Sequence, residues 1–322
     1  MLIVGKVSGI NTSDNQLNIQ ICNKDGITYN LKISSEEGSK LLINNVYEFD
    51  CDIVEGERTY YIINGFKNVN SFEFEKKNDS LRSFFEASPL SLKELEAEIE
   101  KYQNKIENKI IKDITVSLIN KNHDNYFLYP AASRMHHAYI GGLAYHSIGM
   151  LHLADGIINA YPFLDKDYLY AGIMLHDIGK IKELTGIITP EYSKEGQLLG
   201  HLVIGAMEIH EEAINLGYKD KEEALLLEHM LISHHGMPQF GSAKKPLTAE
   251  ALALWNIDNI DSKLRVLEEE YKKIQSGEFT TSIGVLDKLK MYKAWGIIWV
   301  ALRIYVQLII FINHLYFSQC LL

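Results

Sequence analysis

His176 and Asp177 stand side by side at the end of an apolar run, LYAGIMLHDIGK. On a helix, adjacent side chains diverge by about 100°. An imidazole and a carboxylate placed this way can embrace one ion, or the carboxylate can bridge two. Neutral imidazole together with carboxylate suits Mn, Fe, Co, Ni or Zn. Lys180 lies one turn further on, placed to meet a phosphate oxygen. A His-Asp pair on its own carries little weight in a chain of 322 residues, and it can be no more than a buried hydrogen-bonded pair. Its company gives it meaning. Most of the twelve histidines gather at His136-His137, His146, His176, His201 and His234-His235, and Asp258 and Asp261 follow in WNIDNIDSKL. His123, His152, His210 and His229 read as surface or packing residues.

Helices must position this set. From Ser91 to about residue 274 the chain reads as helix after helix, beginning with LSLKELEAEIEKYQNKIENKIIKDITVSLI. Apolar residues recur there at three- and four-residue steps with charges between. Ser91 with Glu94 forms a capping-box signature at the start. The first 70 residues are different. Short segments rich in Ile, Val and Tyr, such as LNIQIC, TYNLKI and NVYEFDCDIV, are separated by polar turns, the pattern of a small barrel with the OB-fold as leading candidate. The expected organisation is a mainly α helical bundle over 91–293, preceded by an OB-like β-barrel over 1–70 and a polar connector over 71–90. An apolar tail over 294–322 ends the chain.

Hydrophobic residues make up 47% and charged residues 23%, enough to bury a core in an ordinary globular balance. The net charge of -10 gives no general signal for nucleic-acid binding, although ions can neutralise an acidic site and basic patches can be local. Cys22, Cys51 and Cys320 have no paired spacing, which argues against a disulfide scaffold and fits a reducing cytosol. The N-terminal apolar run is too short for a signal peptide, so a cytoplasmic location is expected. The segment AWGIIWVALRIYVQLIIFI, residues 294–312, approaches the ~20 residues of a membrane span. Arg303 sits near its middle, where a charge costs about 2.5–3.5 kcal/mol, so a buried terminal helix or an oligomer contact is the preferred reading.

His146, then His-Asp thirty residues later, then Asp258 on a distant helix resembles the H…HD…D pattern of the HD superfamily of metal-dependent phosphohydrolases. His201, His234 and His235 exceed the minimal four ligands and fit a two-metal site in which Asp177 bridges. The likeness goes further. YPAASRMHHAYIGGLAYHSIGML, AGIMLHDIGKIKEL, EGQLLGHLVIG, HMLISHHG, FGSAKKP, IDNIDSKL and GEFTTSIGVLD together resemble the YhaM-type 3′→5′ exoribonuclease family, strongly over residues 125–293 and by strand pattern over the first 70. The resemblance implies an OB domain before an HD domain and a divalent-metal exonuclease. The metal would be Mn by preference, with Co, Fe, Ni or Zn as alternatives. The substrate would be single-stranded RNA and, in some members, single-stranded DNA, and self-association is allowed. Carried onto this chain, one metal takes His146, His176, Asp177 and Asp258, and a second takes His201, His234 and His235. The barrel departs from a nucleic-acid binder in charge, with 9 acidic and 6 basic residues across 1–72. The family pattern ends near Tyr292-Lys293, and the apolar tail has no counterpart in it.

Hydrolysis of a phosphodiester at such a centre would release nucleoside 5′-monophosphates, with Asp177 and Lys180 as catalytic residues. Asp261, one turn past Asp258, would orient a ligand. Arg134, His136 and His137 would hold the terminal phosphates, and Lys244 and Lys245 would guide the strand. Tyr29, Tyr60, Tyr61 and Phe66 are candidate base-stacking platforms, half of them expected to point into the barrel because strands alternate. Two other readings stand beside this one: an HD phosphohydrolase of small nucleotides or cyclic dinucleotides, and a non-catalytic OB–HD nucleic-acid-binding module.

Overall fold

A computed structural model of the chain describes residues 1–13, 15–56, 59–131, 139–188 and 190–294. The chain divides into two compact units, Met1–Asp258 and Asn259–Leu322.

The first unit begins with five strands, β1 (Leu2–Ser13), β2 (Gln16–Cys22), β3 (Thr28–Ser34), β4 (Val46–Val54) and β5 (Tyr60–Asn68), with the single-turn helix α1 (Ser35–Gly38) between β3 and β4. They close in the order β1-β2-β3-β5-β4. β1 pairs antiparallel with both β2 and β4, and β3 runs parallel to β5, the Greek-key arrangement of an OB-like barrel. Alternation drives closure. Leu17, Ile19 and Ile21 on β2 face inward with Val7, Leu31, Phe49 and Cys51, each large aliphatic side chain contributing roughly 1.5–3 kcal/mol by leaving water.

The stretch 71–90 is more than a polar connector. It contains helix α2 (Phe74–Phe84), which buries Leu81 in a small cluster with Val46, Val69, Leu128 and Ile140. Its apolar residues are few and spaced by seven and three, so the helical signal is thin in a polar background.

The helical part of the first unit comprises α3 (Leu92–Lys105), α4 (Lys109–Lys121), α5 (His123–Leu128), α6 (Gly142–Ala160), α7 (Lys166–Leu175), α8 (Lys180–Glu183), α9 (Lys194–Asn215), α10 (Glu222–Ser233) and the start of α11 (Ala249–Lys272). Two-residue strands Leu184–Thr185 and Glu191–Tyr192 pair between α8 and α9. The capping box at Ser91 and Glu94 is present in full. The periodic run that follows makes two helices, because the Asn108 side chain caps α4 and Asp167 Oδ2 accepts the backbone N–H groups of Glu107 and Asn108 at 2.9 and 2.6 Å. α7 is buried from Leu169 to Leu175 without a polar face, so it runs through the centre of the helical core.

The second unit continues α11 past Asp258 and closes with antiparallel bridges Phe279–Tyr292 and Ile283–Leu289. Lys293 Nζ donates to the carbonyls of Tyr271 and Ile274 at 2.5 and 2.8 Å. No helix among the described residues is long and apolar enough to cross a membrane. The apolar tail from Trp295 onward, including Arg303, lies outside the described residues.

Candidate metal centre

Because α7 is buried on every side, its C-terminal end lies inside the core and delivers His176 and Asp177 there, both almost wholly buried. His176 Nδ1 lies 2.7 Å from the Ile173 carbonyl. A carbonyl oxygen only accepts, so Nδ1 carries the hydrogen and Nε2 presents a lone pair. The same logic fixes His234, whose Nδ1 is 2.7 Å from the Leu231 carbonyl at the end of α10, and His235, whose Nδ1 is 2.8 Å from the Phe240 carbonyl. His201 Nδ1 meets a carboxylate instead, Glu183 Oε1 at 3.0 Å.

These side chains form two groups. The ligand atoms of His146, His176 and Asp258 lie within 4.8 Å of one another, and so do those of His201, His234 and His235. His146 comes from α6 and reaches Asp258 Oδ1 through Nε2 at 3.2 Å. Asp177 stands between the groups with one oxygen toward each. Its Oδ2 is 3.2 Å from His176 Nε2, and its Oδ1 is 3.5 Å from His201 Nε2 and 3.9 Å from His234 Nε2. That is the placement a bridging carboxylate needs.

Four of these buried atoms, His176 Nε2, Asp177 Oδ1, His201 Nε2 and His234 Nε2, have no hydrogen-bond partner among the described residues. All four are acceptors once the Nδ1 hydrogens are assigned, and all face one small volume. Leaving such groups unsatisfied costs about 1–3 kcal/mol each. Cations held by the two groups would relieve the whole set. Imidazole nitrogens with carboxylate oxygens suit first-row divalent metals, so the donor set fits a divalent cation.

The electrostatics agree. Burial works to raise the Asp177 carboxyl, but the neighbouring His176 and Lys180 outweigh it and hold it well below the usual carboxylate range. Asp258 behaves alike: burial is opposed by His146, and the carboxyl ends low. His234 is pushed well below its ordinary 6.5 by burial first and then by His235 and His176. His235 is lowered by burial and by His201. The folded metal-free chain therefore keeps these imidazoles neutral, while the unfolded chain protonates them near 6.5. Below that pH the unfolded state binds more protons, so stability falls on acidification. Metal-free protein should lose up to about 1.4 kcal/mol per pH unit from His234 between pH 6.5 and 5, and less from His235. The low carboxyls add a further loss only nearer pH 4. Urea unfolding at pH 7, 6 and 5 measures this, and a flat profile would contradict the neutral assignment.

Backbone packing brings His201 to the centre. A Cβ at Gly179 would lie 2.2 Å from the His201 carbonyl oxygen and 2.8 Å from Gly205 N. A Cβ at Gly196 would lie 2.3 Å from the Glu183 carbonyl oxygen. The two glycines let α8 and α9 touch main chain to main chain. Gly179→Ala should cost about 3 kcal/mol, near the top of the range for overpacking, because neither obstacle can rotate away. Urea denaturation tests this, and a loss under about 0.5 kcal/mol would mean that α8 and α9 separate freely.

Lys180 is at the centre, but its ammonium is already engaged, donating to Asp177 Oδ2 and to the Ala131 carbonyl at 2.6 Å each. Asp261 is buried in the second unit and lies 3.7 Å from Arg265 Nε. Lys244 and Lys245 are exposed in the segment before α11 and belong to neither ligand group. Arg134, His136 and His137 lie outside the described residues. In the barrel, Tyr29, Tyr61 and Phe66 pack against the core, with Tyr29 and Tyr61 edge to face at 5.4 Å. Tyr60 stays out of that cluster, and Lys32 Nζ sits 4.0 Å over its ring. His123, His152 and His210 pair with Glu96, Glu98 and Glu228, and His229 accepts the Leu247 N–H. Sequence reasoning passed over Glu183 and the carbonyls of Ile173, Leu231, Phe240 and Ala131. For Glu183 the signal was its place in the HDIGKIKE run, one turn past Gly179.

A family model described as the HD domain matches residues 143–263, a span that holds both ligand groups. The 3'-5' exoribonuclease YhaM of Bacillus licheniformis is 40% identical over 219 residues, covering 68% of this chain and 69% of the relative. The protein of the same name from Geobacillus sp. is 40% identical over 227 residues, 70% of each. That of Bacillus subtilis is 40% identical over 219 residues, 68% of this chain and 69% of the relative. With this identity over more than two thirds of each relative, and with the HD motif residues meeting in one buried centre, the chain belongs to the YhaM 3′-5′ exoribonuclease family.

Proposed function

We propose that this protein is a metal-dependent 3′→5′ exoribonuclease that shortens single-stranded RNA and releases nucleoside 5′-monophosphates. The observation that carries the reading is the set of four buried lone-pair atoms around Asp177 without hydrogen-bond partners, in a chain 40% identical to the YhaM exoribonucleases. His146, His176 and Asp258 with Asp177 Oδ2 would hold one ion, and His201, His234 and His235 with Asp177 Oδ1 a second. Mn is the preferred metal. When bound, the ions supply Lewis acidity, acidifying the attacking water and taking up charge on the phosphoryl oxygens.

The chain's own residues do the rest. Asp177 keeps the two groups in fixed relation. Lys180 clamps the Asp177 carboxylate against the Ala131 carbonyl, and an ammonium has three donors, so one remains for a phosphate oxygen. Burial keeps bulk water from the histidines. Arg134, His136 and His137 lie three to six residues after Ala131 in sequence and are assigned to the RNA 3′ end, with Lys244 and Lys245 assigned to the strand beyond it. Tyr60, the tyrosine of the four that stays out of the barrel core, is the candidate stacking platform. The cytoplasm is the compartment this activity suits.

The test is a short 5′-labelled RNA with Mn added, run beside the same RNA carrying a blocked 3′ end, a DNA of the same sequence, and a dinucleotide. A ladder of shortened RNA with released monophosphates, absent from the blocked strand, is expected. Tyr60→Ala should raise KM for the long RNA by roughly the 1–3 kcal/mol of one stacked base and leave the dinucleotide unaffected. Cleavage of the dinucleotide or of cyclic dinucleotides alone would support the small-nucleotide reading. Binding without any product would support the non-catalytic one.

A further inference from the structure

We propose that Glu183 is the positioning residue of the His201–His234–His235 group. Its carboxylate decides which nitrogen of His201 faces the centre, and this group alone depends on it. The inference rests on the reading that both groups bind divalent cations.

Glu183 Oε1 accepts twice from the same residue, from the His201 backbone N–H and from its Nδ1–H, each at 3.0 Å. The first bond exists because Gly200 breaks α9 with φ 73° and ψ 157°. The kink takes the His201 amide off the helical ladder, and the carboxylate caps the helix where it resumes. The second bond places hydrogen on Nδ1, so Nε2 turns its lone pair toward Asp177 Oδ1, 3.5 Å away, with no hydrogen-bond partner of its own.

The main chain that carries Glu183 is itself held in place. Ser193 N donates to the Glu183 carbonyl at 2.8 Å, and Gly196 lets that carbonyl press on α9. His234 and His235 take their Nδ1 acceptors from main-chain carbonyls, which no substitution removes. In this group His201 is the one member oriented by a charged side chain. A carboxylate acceptor also leaves Nε2 more basic than a neutral carbonyl does. In the His146–His176–Asp258 group the contacts lie elsewhere: His176 Nδ1 is set by the Ile173 carbonyl, and His146 Nε2 meets Asp258 Oδ1.

The experiment uses the full chain, stripped of metal and titrated with MnCl2, with bound ions counted by elemental analysis and free Mn followed by electron paramagnetic resonance. Wild type should bind two ions. Glu183→Ala should weaken one of them about 10–100-fold and leave the other at wild-type affinity. Glu183→Gln keeps an acceptor oxygen without the charge and should fall between. Asp258→Asn should weaken the complementary ion, which identifies the two. Wild-type affinity for both ions in both Glu183 variants overturns the proposal. So does equal loss of both ions, or a lowered unfolding midpoint of the metal-free chain with unchanged binding. A wild-type chain that binds no Mn overturns the parent reading as well, so the two failures are distinct.

Discussion

Replacing Asp177 with Asn should lower RNA hydrolysis by at least about 10³-fold, more than 4 kcal/mol of transition-state stabilisation. The size follows from position. One Asp177 oxygen faces His176 and the other faces His201 and His234, so the carboxylate belongs to both ligand groups. An amide keeps the shape but offers only one oxygen. Its nitrogen has no lone pair to give, so in either rotamer one group loses its shared donor, and both lose the negative charge. The variant also strips Lys180 of its ionic partner. Breaking a buried pair costs roughly 3–5 kcal/mol, less here because Lys180 is partly exposed and keeps the Ala131 carbonyl. Circular dichroism and the metal-free unfolding midpoint separate that loss from the catalytic one. Folded Asp177→Asn protein within tenfold of wild-type activity would remove Asp177 from the centre of the mechanism.

Chelation should be nearly as severe and fully reversible. Protein dialysed against a chelator should lose essentially all exonuclease activity and regain it on addition of Mn. The metal should also act as a stabiliser, since an ion that binds only the folded state at a hundredfold excess over its Kd adds about 2.7 kcal/mol. Two occupied groups therefore raise the thermal midpoint by several degrees. The donors explain why so much of the stability should respond. In the metal-free chain the four lone-pair atoms are buried without hydrogen-bond partners, so binding both adds contacts and removes an existing penalty. Scanning calorimetry with and without Mn, beside the activity assay, measures both effects. A chelated protein that keeps its activity and its midpoint would rule out a metal at this site.

How far the centre could be read from the sequence depended on what kind of group each ligand needs. His146, His176, Asp177 and Asp258 are side chains with recognisable types and spacing, and in the structure they lie near one another. The acceptors that orient the imidazoles are mostly main-chain carbonyls of Ile173, Leu231 and Phe240, and a carbonyl leaves no mark on residue type. Glu183 has a mark, but it reads as one more charge in a lysine-flanked turn until the Gly200 kink brings His201 against it. Lys180 was legible as a site residue, while its partner Ala131 was not. In the barrel, LNIQIC was legible as a strand, and Leu17, Ile19 and Ile21 alternate into its core. The side to which Phe66 turns was harder to read, because the irregularity between Asp50 and Cys51 shifts the register against β5. The helix at Phe74–Phe84 was hidden by its polar composition.

The candidate ligands arrive on α6, the α7 end, α9, the α10 end and α11, so neither group is complete within one local motif. Asp258 is the last in sequence, far downstream of His146. During synthesis, a chain still short of Asp258 lacks one member of the first group. The first group therefore cannot be completed until residue 258 has been added, nearly at the end of the helical region of the first unit.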